Sequence, residues 1–410
     1  MGVAESPIAD IDVSDPDLWA ERYPTDLFAR LRAEDPVHWS EMTAFEDEGG
    51  YWSITKAEHL TEVSKDYETF SSGQGGIVLS DNGMPLDLQR HQFISMDPPG
   101  HTRLKQVFQR VFTPKMIATR EPVVRAAACD ALDAVEAEGS CDLVQTVGEP
   151  VVARVIASLL GTPPEMDPKL IEWGQSAIGF DDSELCPDPR PEHAYEVVSE
   201  VLDYVLPLVR DRVTDPQDDL LSRLANAEIE GEPLTELELA TIFVLLLAAG
   251  TDSTKSVYTN GMKALMESPD QRQLLLDDPS AIPAAVEEVL RCFPAFAHMR
   301  RTVTRDVDFH GAQMRAGDKL ALWYVSGNRD EDVYEDPERF DVTRDPKHQA
   351  FGAGGRHFCL GAALARLELK VLLEETLSRF PTMEIDGEPV RTRSNFLNQY
   401  KHLPVRANAA

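Results

Sequence analysis

The chain has 410 residues and a formal net charge of −32 at pH 7, from 39 basic and 71 acidic side chains. Its 42% hydrophobic and 27% charged residues are typical of a folded globular protein and exclude a disordered, collagen-like or coiled-coil chain. The acidic balance disfavours nucleic acid and anionic membrane surfaces as partners, because like charges repel.

The first residues do not resemble an export signal, because no basic stretch precedes an apolar one. The longest strongly apolar run, residues 242–249, is shorter than the roughly 20 residues that cross a bilayer. None of the five cysteines forms a CxxC pair, which is typical of reduced thiols in a cytosol. We therefore expect a soluble, cytoplasmic protein without a transmembrane helix.

The spacing of apolar residues predicts a mainly α protein with minor β structure. Strands are expected near the start and again after residue 300, at 37–40, 51–55, 301–309 and 319–323. Helices are expected at 102–112, 122–138, 149–160, 193–213, 235–267, 282–293 and 360–380. Neither a repeat nor a long linker interrupts this order, which favours one domain over residues 1–410.

The helix predicted at 235–267 has an unusual centre. Thr235 and Glu238 fit a capping box at its start, and its first half is apolar on every side, which predicts burial. Gly250 and four polar residues, 251–254, then follow. Their hydroxyls can bond to carbonyls one turn earlier, bend the helix and open a groove beside Gly250. The alternative is a packing kink without a function.

Residues 351–361 read FGAGGRHFCLG and lead directly into a predicted helix. Cys359 should therefore lie at a helix N-terminus, where backbone N–H groups lower the pKa of a thiol and favour a thiolate metal ligand. The glycines allow close approach to a flat group, and Phe351 and Phe358 shield the sulfur. His357 breaks a dinucleotide-binding pattern, and a zinc site needs further nearby soft ligands. A lone thiolate suits haem iron best.

Four motifs occur in one order along the chain. They are DPPGHTRLK, AGTDST, an E-x-x-R pair followed by PERF, and the cysteine loop. With these motifs the chain resembles a cytochrome P450, of the bacterial, soluble, ferredoxin-dependent type, from about residue 15 to its end. The resemblance implies the cytochrome P450 fold, a single haem domain with heme b (iron protoporphyrin IX), and an O2-dependent monooxygenase.

The resemblance also implies roles for individual residues. Asp252 and Ser253 match the catalytic acid–alcohol pair that delivers protons, and Cys359 matches the iron ligand. Glu288 and Arg291, with Arg339 of PERF, match a structural triad that holds the cysteine loop. The propionates are expected to be held by His101, Arg301 and His357. The full set of residues expected to bind the cofactor is His101, Lys105, Arg301, Phe351, His357, Cys359 and Gly361.

Three features depart from the commonest family pattern. Ser253 replaces a threonine, so its rotamer is less fixed. Lys105 stands where many relatives have arginine, which replaces a two-pronged donor by a point charge and leaves its contact with a propionate open. Phe351 and Cys359 lie eight positions apart rather than seven, as in relatives that resemble oxidisers of sterols and branched lipids.

The family lines its substrate pocket with four segments, and here these supply an apolar wall. Such a wall favours a neutral or weakly polar hydrophobic substrate, with terpenoids and steroids ahead of alkyl-aromatics, because an unpaired buried charge is costly. The wall residues expected on this basis are Ile94, Val244, Leu247, Ala248, Phe296, Phe396 and Leu397.

Electrons are expected from a separate ferredoxin, of the 2Fe–2S kind, and its reductase, because the haem domain accounts for the whole chain given. An acidic ferredoxin would be steered by a basic patch, for which the candidates are Arg103, Lys105, Arg110 and Arg356. A peroxide-driven haem enzyme and a haem-based carrier or sensor are the alternatives. Asp252 and Ser253 argue against both alternatives, because neither a peroxide-driven enzyme nor a carrier or sensor needs a proton relay.

Overall fold

A computed structural model describes residues 7–45, 47–81, 84–109, 112–229 and 231–407. Helices dominate these residues. In chain order they are α1 (Pro16–Glu21), α2 (Thr25–Glu34), α3 (Ala57–Lys65), α4 (Leu86–Gln89), α5 (Gly100–Gln109), α6 (Pro114–Ala118), α7 (Glu121–Glu138), α8 (Glu149–Leu160), α9 (Asp167–Ile178), α10 (Pro191–Thr214), α11 (Leu220–Ala225), α12 (Glu236–Glu267), α13 (Pro269–Asp277), α14 (Ile282–Cys292), α15 (Tyr324–Gly327) and α16 (Ala362–Arg379).

The strands are short, and the largest sheet has the strand order β1-β2-β10-β7-β3, while a smaller one has the order β11-β14-β4. In the larger sheet β10 runs parallel to β2 and antiparallel to β7. In chain order the strands are β1 (Val37–Glu41), β2 (Gly50–Ile54), β3 (Phe70–Ser71), β4 (Ser140–Asp142), β5 (Glu228–Ile229), β6 (Glu232–Pro233), β7 (His298–Val303), β8 (Val307–Phe309), β9 (Ala312–Met314), β10 (Lys319–Trp323), β11 (Glu384–Ile385), β12 (Val390–Arg391), β13 (Tyr400–His402) and β14 (Pro404–Arg406).

Helix α12 runs through the largest hydrophobic core and packs against α8, α9, α10 and α16. Thr235 caps it through the predicted capping box with Glu238. Among the described residues α12 is the one helix long and apolar enough to cross a membrane, and 67% of its most apolar window is buried inside the protein. The core helix of a globular protein meets the same two criteria, because its surroundings are equally apolar.

The predicted mainly α class with minor β structure is confirmed, and all seven predicted helices are present with ends shifted by a few residues. The strand predicted at 301–309 is wrong as a single element, because a turn at residues 304–306 separates β7 from β8. Several helices were not predicted, such as α1, α2, α3 and α9. Of these, α1 is only six residues long, which is too short for a clear helical period.

The E-x-x-R pair is buried on α14 and fixes the chain that leads to the cysteine loop. Arg291 donates to both carboxylate oxygens of Glu288, at 2.7 and 2.8 Å, and both side chains are 0% exposed. The same guanidinium donates to the carbonyl oxygens of Asn328, Pro337 and Arg339, at 2.7 to 3.1 Å. A buried charge pair of this kind persists because every donor has an acceptor.

The prediction that the Arg339 side chain completes the triad is wrong. That side chain is 62% exposed and pairs with Asp341, and only the backbone carbonyl of Arg339 meets Arg291. Arg344 supplies the second cation instead, with its Nε 3.5 Å from a carboxylate oxygen of Glu288. The sequence shows two arginines five positions apart, and only the path of the backbone decides which of them turns inward.

Glu287, next to the buried pair, ties α14 to the segment before the cysteine loop and to α16. It accepts two hydrogen bonds from Arg366, at 2.7 and 2.8 Å, and contacts His348 Nε2 at 3.1 Å. Burial alone raises the pKa of this carboxyl, but the bonds and charges of Arg366 and His348 lower the pKa to about 2. Glu287 is therefore a charged clamp between three segments.

We expect Glu287→Gln to lower the free energy of unfolding at pH 7 by about 1–2 kcal/mol. A carboxyl with a depressed pKa stabilises the fold fully above its ordinary pKa, and this contribution is lost as the pH falls from about 4 to about 2. The difference between wild type and variant should therefore shrink in acid. Urea unfolding over a pH series measures it, with exposed Glu335→Gln as the control. A difference that is constant with pH would contradict this role.

Candidate functional site

A cavity of about 220 Å³ lies between α12 and the cysteine loop. Its lining comes from α5, α12, β7 and the cysteine loop with the start of α16, together with Phe93 and Ile94 just before α5. The lining is mostly apolar. The polar groups that do face the cavity are a cysteine, a set of basic side chains, a short polar stretch of α12, and the side chains of Tyr324 and Glu368.

The sulfur of Cys359 opens onto the cavity and lies just before the N-terminus of α16. Its backbone N–H donates to the carbonyl of Phe351 at 2.9 Å, which closes the loop. The expected lowering of the thiol pKa is wrong. Burial raises the pKa of Cys359, and the N–H groups of Gly361 and Ala362 and the charge of Lys105 only reduce that effect. A thiolate here needs a cation against the sulfur, which a bound metal provides.

Four predicted cofactor-binding residues meet on one part of the cavity lining: His101, Lys105, Arg301 and His357. The rings of the two histidines lie 4.3 Å apart. Burial lowers the pKa of His101 to about 4 and that of His357 to about 2. Phe351 and Gly361 also line the cavity.

Several of these side chains have unused hydrogen-bonding capacity. Neither ring nitrogen of His101 has a hydrogen-bond partner among the described residues. Within the same residues Arg301 forms one hydrogen bond, to the carbonyl of Arg300 at 2.7 Å, and no ion pair. Burial lowers the pKa of Arg301. Buried donors without partners are costly, so this part of the lining suits a bound group that carries carboxylates.

Lys105 is occupied differently from the other basic residues. Its ammonium donates to the backbone carbonyls of Arg356 and Phe358, the latter at 3.0 Å. It therefore holds the cysteine loop against α5, in addition to lining the cavity. Burial lowers the pKa of Lys105, and the neighbouring Cys359 opposes that effect.

The polar stretch of α12 forms the back-bonds that its sequence predicts. Ser253 Oγ donates to the carbonyl of Ala249 at 2.6 Å, and Thr251 Oγ1 donates to that of Leu247 at 2.9 Å. Gly250 lines the cavity, but a Cβ on it would lie 2.7 Å from Ile156 Cδ1. Gly250 therefore also lets α8 approach α12. The sequence predicted a groove beside this glycine but not the helix contact.

Ser253 and Asp252 face in different directions. Ser253 lines the cavity, whereas Asp252 does not belong to its lining. Asp252 is 1% exposed and forms an ion pair with Lys255 one turn later, with Oδ1 2.6 Å from Nζ. The acid and the alcohol of the predicted pair are thus neighbours in sequence on two sides of one helix.

Sequence reasoning missed Glu368, a buried acid of α16 that lines the cavity. Burial raises the pKa of Glu368 to about 7, and the hydrogen bond that Thr254 donates to it, at 2.6 Å, only partly offsets this. A signal was available. Glu368 lies four positions from both Leu364 and Leu372, on the apolar face of the helix, where an acid is unusual.

Most of the predicted substrate wall is wrong. Ile94 and Phe296 line the cavity, but Val244, Leu247, Ala248, Phe396 and Leu397 do not. On α12 the lining comes instead from Leu245, Leu246, Ala249, Gly250 and Ser253. One position turns a helical side chain by about 100°, so the neighbouring positions that were predicted face away from the cavity. Phe396 packs behind Phe296, with ring centroids 4.9 Å apart.

The predicted basic patch is smaller than expected. Arg103 pairs with Glu238 of α12, 2.8 Å away, which neutralises its charge. Arg356 lies over the ring of Tyr67, 4.9 Å from its centroid. Arg110 lies outside the described residues. Arg356 and Lys105 remain as basic side chains beside the cysteine loop.

Comparison with known proteins defines the class. The cytochrome P450 family model matches residues 280–403. The chain is similar to a methyl-branched lipid omega-hydroxylase of Mycobacterium tuberculosis, with 36% identity over 98% of this chain and 95% of the relative. It is also similar to a linalool 8-monooxygenase of Pseudomonas putida, with 34% identity over 96% and 98% of the two chains.

A solved structure agrees with this. A Mycobacterium marinum cytochrome P450 in complex with pseudoionone superposes with a TM-score of 0.89 and 32% identity, over 98% of this chain and 100% of that one. The chain belongs to the cytochrome P450 family and is a P450 monooxygenase. The family implies a haem iron as the cofactor, and the unpartnered donors of His101 and Arg301 fit its carboxylate groups.

The two faces of α12 give a paired test of the corrected wall. We expect Leu246→Ala to weaken the binding of 4-phenylimidazole to the haem protein by about tenfold, because apolar contact surface is lost. Leu247→Ala should leave this affinity nearly unchanged and lower the free energy of unfolding by about 2–5 kcal/mol, because it leaves a core void. Absorbance titration and urea unfolding measure the two quantities. The reverse pattern would show that Leu247 lines the substrate pocket, as the sequence predicts, and that Leu246 does not.

Proposed function

We propose that residues 1–410 form one haem domain that inserts one oxygen atom from O2 into a neutral hydrophobic small molecule, terpenoid or steroid-like, in the cytoplasm. The observation that carries this proposal is a single cavity lined on one side by Cys359 and on another by Ser253 of α12. The rest of the lining is largely apolar. A metal-binding sulfur, a proton-donating hydroxyl and an apolar substrate space thus share one enclosure.

Each part of this lining has a task in the proposed reaction. Heme b, when bound, supplies the redox chemistry that activates O2. Cys359 would ligate its iron, and His101, Arg301 and His357 would hold its propionates. Ser253 Oγ, which now donates to Ala249, would turn to donate a proton in the cavity, and Asp252 would supply that proton from outside. The apolar surroundings keep bulk water away from these transfers.

The substrate class is proposed from the character of the wall. Ile94, Leu245, Leu246 and Phe296 present only hydrocarbon to the cavity, and burial of apolar ligand surface gains about 25 cal/mol per Å². Arg301 and His101 are assigned to the propionates, which leaves a charged substrate without a partner. The similar proteins named for a methyl-branched lipid and for linalool support a branched hydrocarbon skeleton.

The electron donor is proposed to be a 2Fe–2S ferredoxin with its reductase. Support comes from Arg356 and Lys105 beside the cysteine loop, which offer positive charge to an acidic partner on an otherwise acidic protein. Ser253 and Asp252 favour this donor over peroxide, because peroxide brings both of its own protons. Turnover that needs only peroxide, with no gain from a reductase system, would reject it.

The decisive experiment is a screen of hydrophobic compounds against the ferric haem protein. A ligand that displaces the water on the iron shifts the haem from low to high spin, which absorbance reports. We expect terpenoids such as linalool, or steroids such as testosterone, to give the shift and to be oxygenated. Tight binding and efficient oxidation of a short benzoate, with no response to any terpenoid or steroid, would contradict the proposed substrate class.

Replacing Cys359 by His should abolish the thiolate-type spectrum of the reduced carbon monoxide complex while leaving some haem bound, because imidazole replaces sulfur on the iron. Cys186→Ala is the matched control, since Cys186 is a buried thiol that does not belong to the cavity lining. Carbon monoxide difference spectra measure both variants. If the Cys359→His protein kept the thiolate spectrum, another cysteine would be the ligand.

Replacing Ser253 by Ala should keep NADH consumption within about twofold and divert most of the electrons to hydrogen peroxide, because the hydroxyl that protonates in the cavity is gone. Ser256→Ala is the control, since Ser256 lies on the same helix as Ser253 but its hydroxyl donates to the carbonyl of Asn398 and does not line the cavity. The ratio of product to NADH, with peroxide measured separately, gives the result. Unchanged coupling would show that Thr254 or water takes this role.

A further inference from the structure

Lys255 is a lysine buried in the protein core, which is rare because an ammonium group loses its hydration there. Its side chain is 2% exposed. It lies on α12, three positions after Asp252 and two after Ser253. The proposed function gives it no task, and the motif AGTDST ends just before it.

Two carboxylates hold the Lys255 ammonium. Its Nζ lies 2.6 Å from Asp252 Oδ1 and 3.2 Å from Glu149 Oε1. Glu149 also accepts a hydrogen bond from Gln175 of α9, at 2.8 Å, and its side chain is 19% exposed. The three groups therefore form a line from the buried acid on α12 to an acid that reaches solvent on α8.

The backbone around Lys255 leaves room for this line. A Cβ on Gly148 would lie 3.1 Å from Lys255 Cγ, so a larger residue there would press on the lysine stem. Gly148 ends a π-helical turn, Val144–Gly148, that leads into α8 and carries Glu149 as its next residue. Such turns add one residue to a helix and are frequent at functional sites.

The charges around Lys255 are few. Asp252 comes from α12 and Glu149 from α8, while α9 offers the neutral amide of Gln175 and the π turn has no charged side chain. Burial alone lowers the pKa of Lys255, but the two carboxylates outweigh it and the pKa is raised. One ammonium facing two carboxylates leaves a net negative charge that attracts a further proton from solvent.

From this geometry we propose that Lys255 positions Asp252 and links it to Glu149 as the entry route for protons to the cavity. The inference rests on the proposed function, in which Asp252 supplies Ser253. The Asp252 carboxylate is held by Lys255 and does not belong to the cavity lining. It therefore receives its proton on the side that faces Glu149. Loss of its negative charge weakens the ion pair and frees Asp252 to turn toward Ser253.

The transfer is balanced and needs only a proton from water. A proton from solvent forms an O–H bond on Glu149, and that bond breaks as the proton passes to the Asp252 carboxylate, where a new O–H bond forms. Lys255 keeps its N–H bonds throughout, because its pKa is raised, and its ammonium holds the two carboxylates on either side of it. The net change is one proton moved from water to Asp252, with Lys255 still an ammonium.

The test compares Lys255→Met and Glu149→Gln with wild type, using the haem-loaded protein and a surrogate ferredoxin and reductase. Both variants should lower NADH-driven product formation by about tenfold or more and raise the solvent isotope effect in D2O, because proton supply becomes limiting. Peroxide-driven product formation should stay within about twofold, because peroxide brings its own protons. Lys263→Met is the control, since Lys263 is a lysine of the same helix paired with Glu267 at 2.6 Å.

An infrared measurement tests the positioning without turnover. Lys255→Met should show the carbonyl band of a protonated carboxylic acid at neutral pH, since Asp252 has lost its cation, and adding Asp252→Asn should remove that band. If Lys255→Met fails to fold, Glu149→Gln decides through the kinetic readouts. Equal losses with NADH and with peroxide would show a merely structural role and overturn the inference. So would wild-type rates in both variants, whereas a wild type that oxygenates nothing would reject the proposed function instead.

Discussion

The cost of burying charge is the constraint on which the rest of this structure depends. The sulfur of Cys359 lies in a site where burial raises its pKa, so the protein does not provide a stable thiolate by itself. The same cavity holds basic side chains with no anionic partner among the described residues. Both features are unfavourable alone, and both are relieved by one bound group that is cationic at its centre and anionic at its edge.

The scaffold that carries this site is itself built from buried ion pairs with complete hydrogen bonding. Arg291 satisfies Glu288 and three carbonyl groups, and Glu287 joins α14 to α16 and to His348. Such groups add little stability compared with apolar packing, but removing one partner leaves a buried charge without compensation, so the segments that they join stay together. The segments before and after the cysteine loop are therefore held by α14, while the loop itself is closed by the hydrogen bond from the Cys359 N–H to the Phe351 carbonyl.

The sequence predicted the class, the long helices and the residues that converge on the cavity, because each leaves a local signal: helical period, a capping box at Thr235, or glycines around Cys359. It failed where the answer depends on rotation or on the path of the chain. The α12 residues predicted to line the cavity are sequence neighbours of those that do line it, and the side chain that turns toward Glu288 is Arg344 rather than Arg339. Lys255 was overlooked because its second partner, Glu149, is distant in sequence, and Glu368 was overlooked although its place on an apolar helix face is a local signal.

The two faces of α12 have opposite electrostatics at one level of the helix. Toward the cavity, Thr254 donates to Glu368, whose pKa is raised to about 7 by burial, so this acid gains or loses its proton near neutral pH. Away from the cavity, Lys255 holds Asp252 and Glu149 in a charged cluster. A buried ammonium offsets the cost of burying acids on one side, and without such a cation on the other side burial raises the pKa of Glu368. Ser253 and Glu368 both line the cavity, so the acid that shares the enclosure of the Ser253 hydroxyl is the one that titrates near neutral pH, and the charged cluster lies on the other side of the helix.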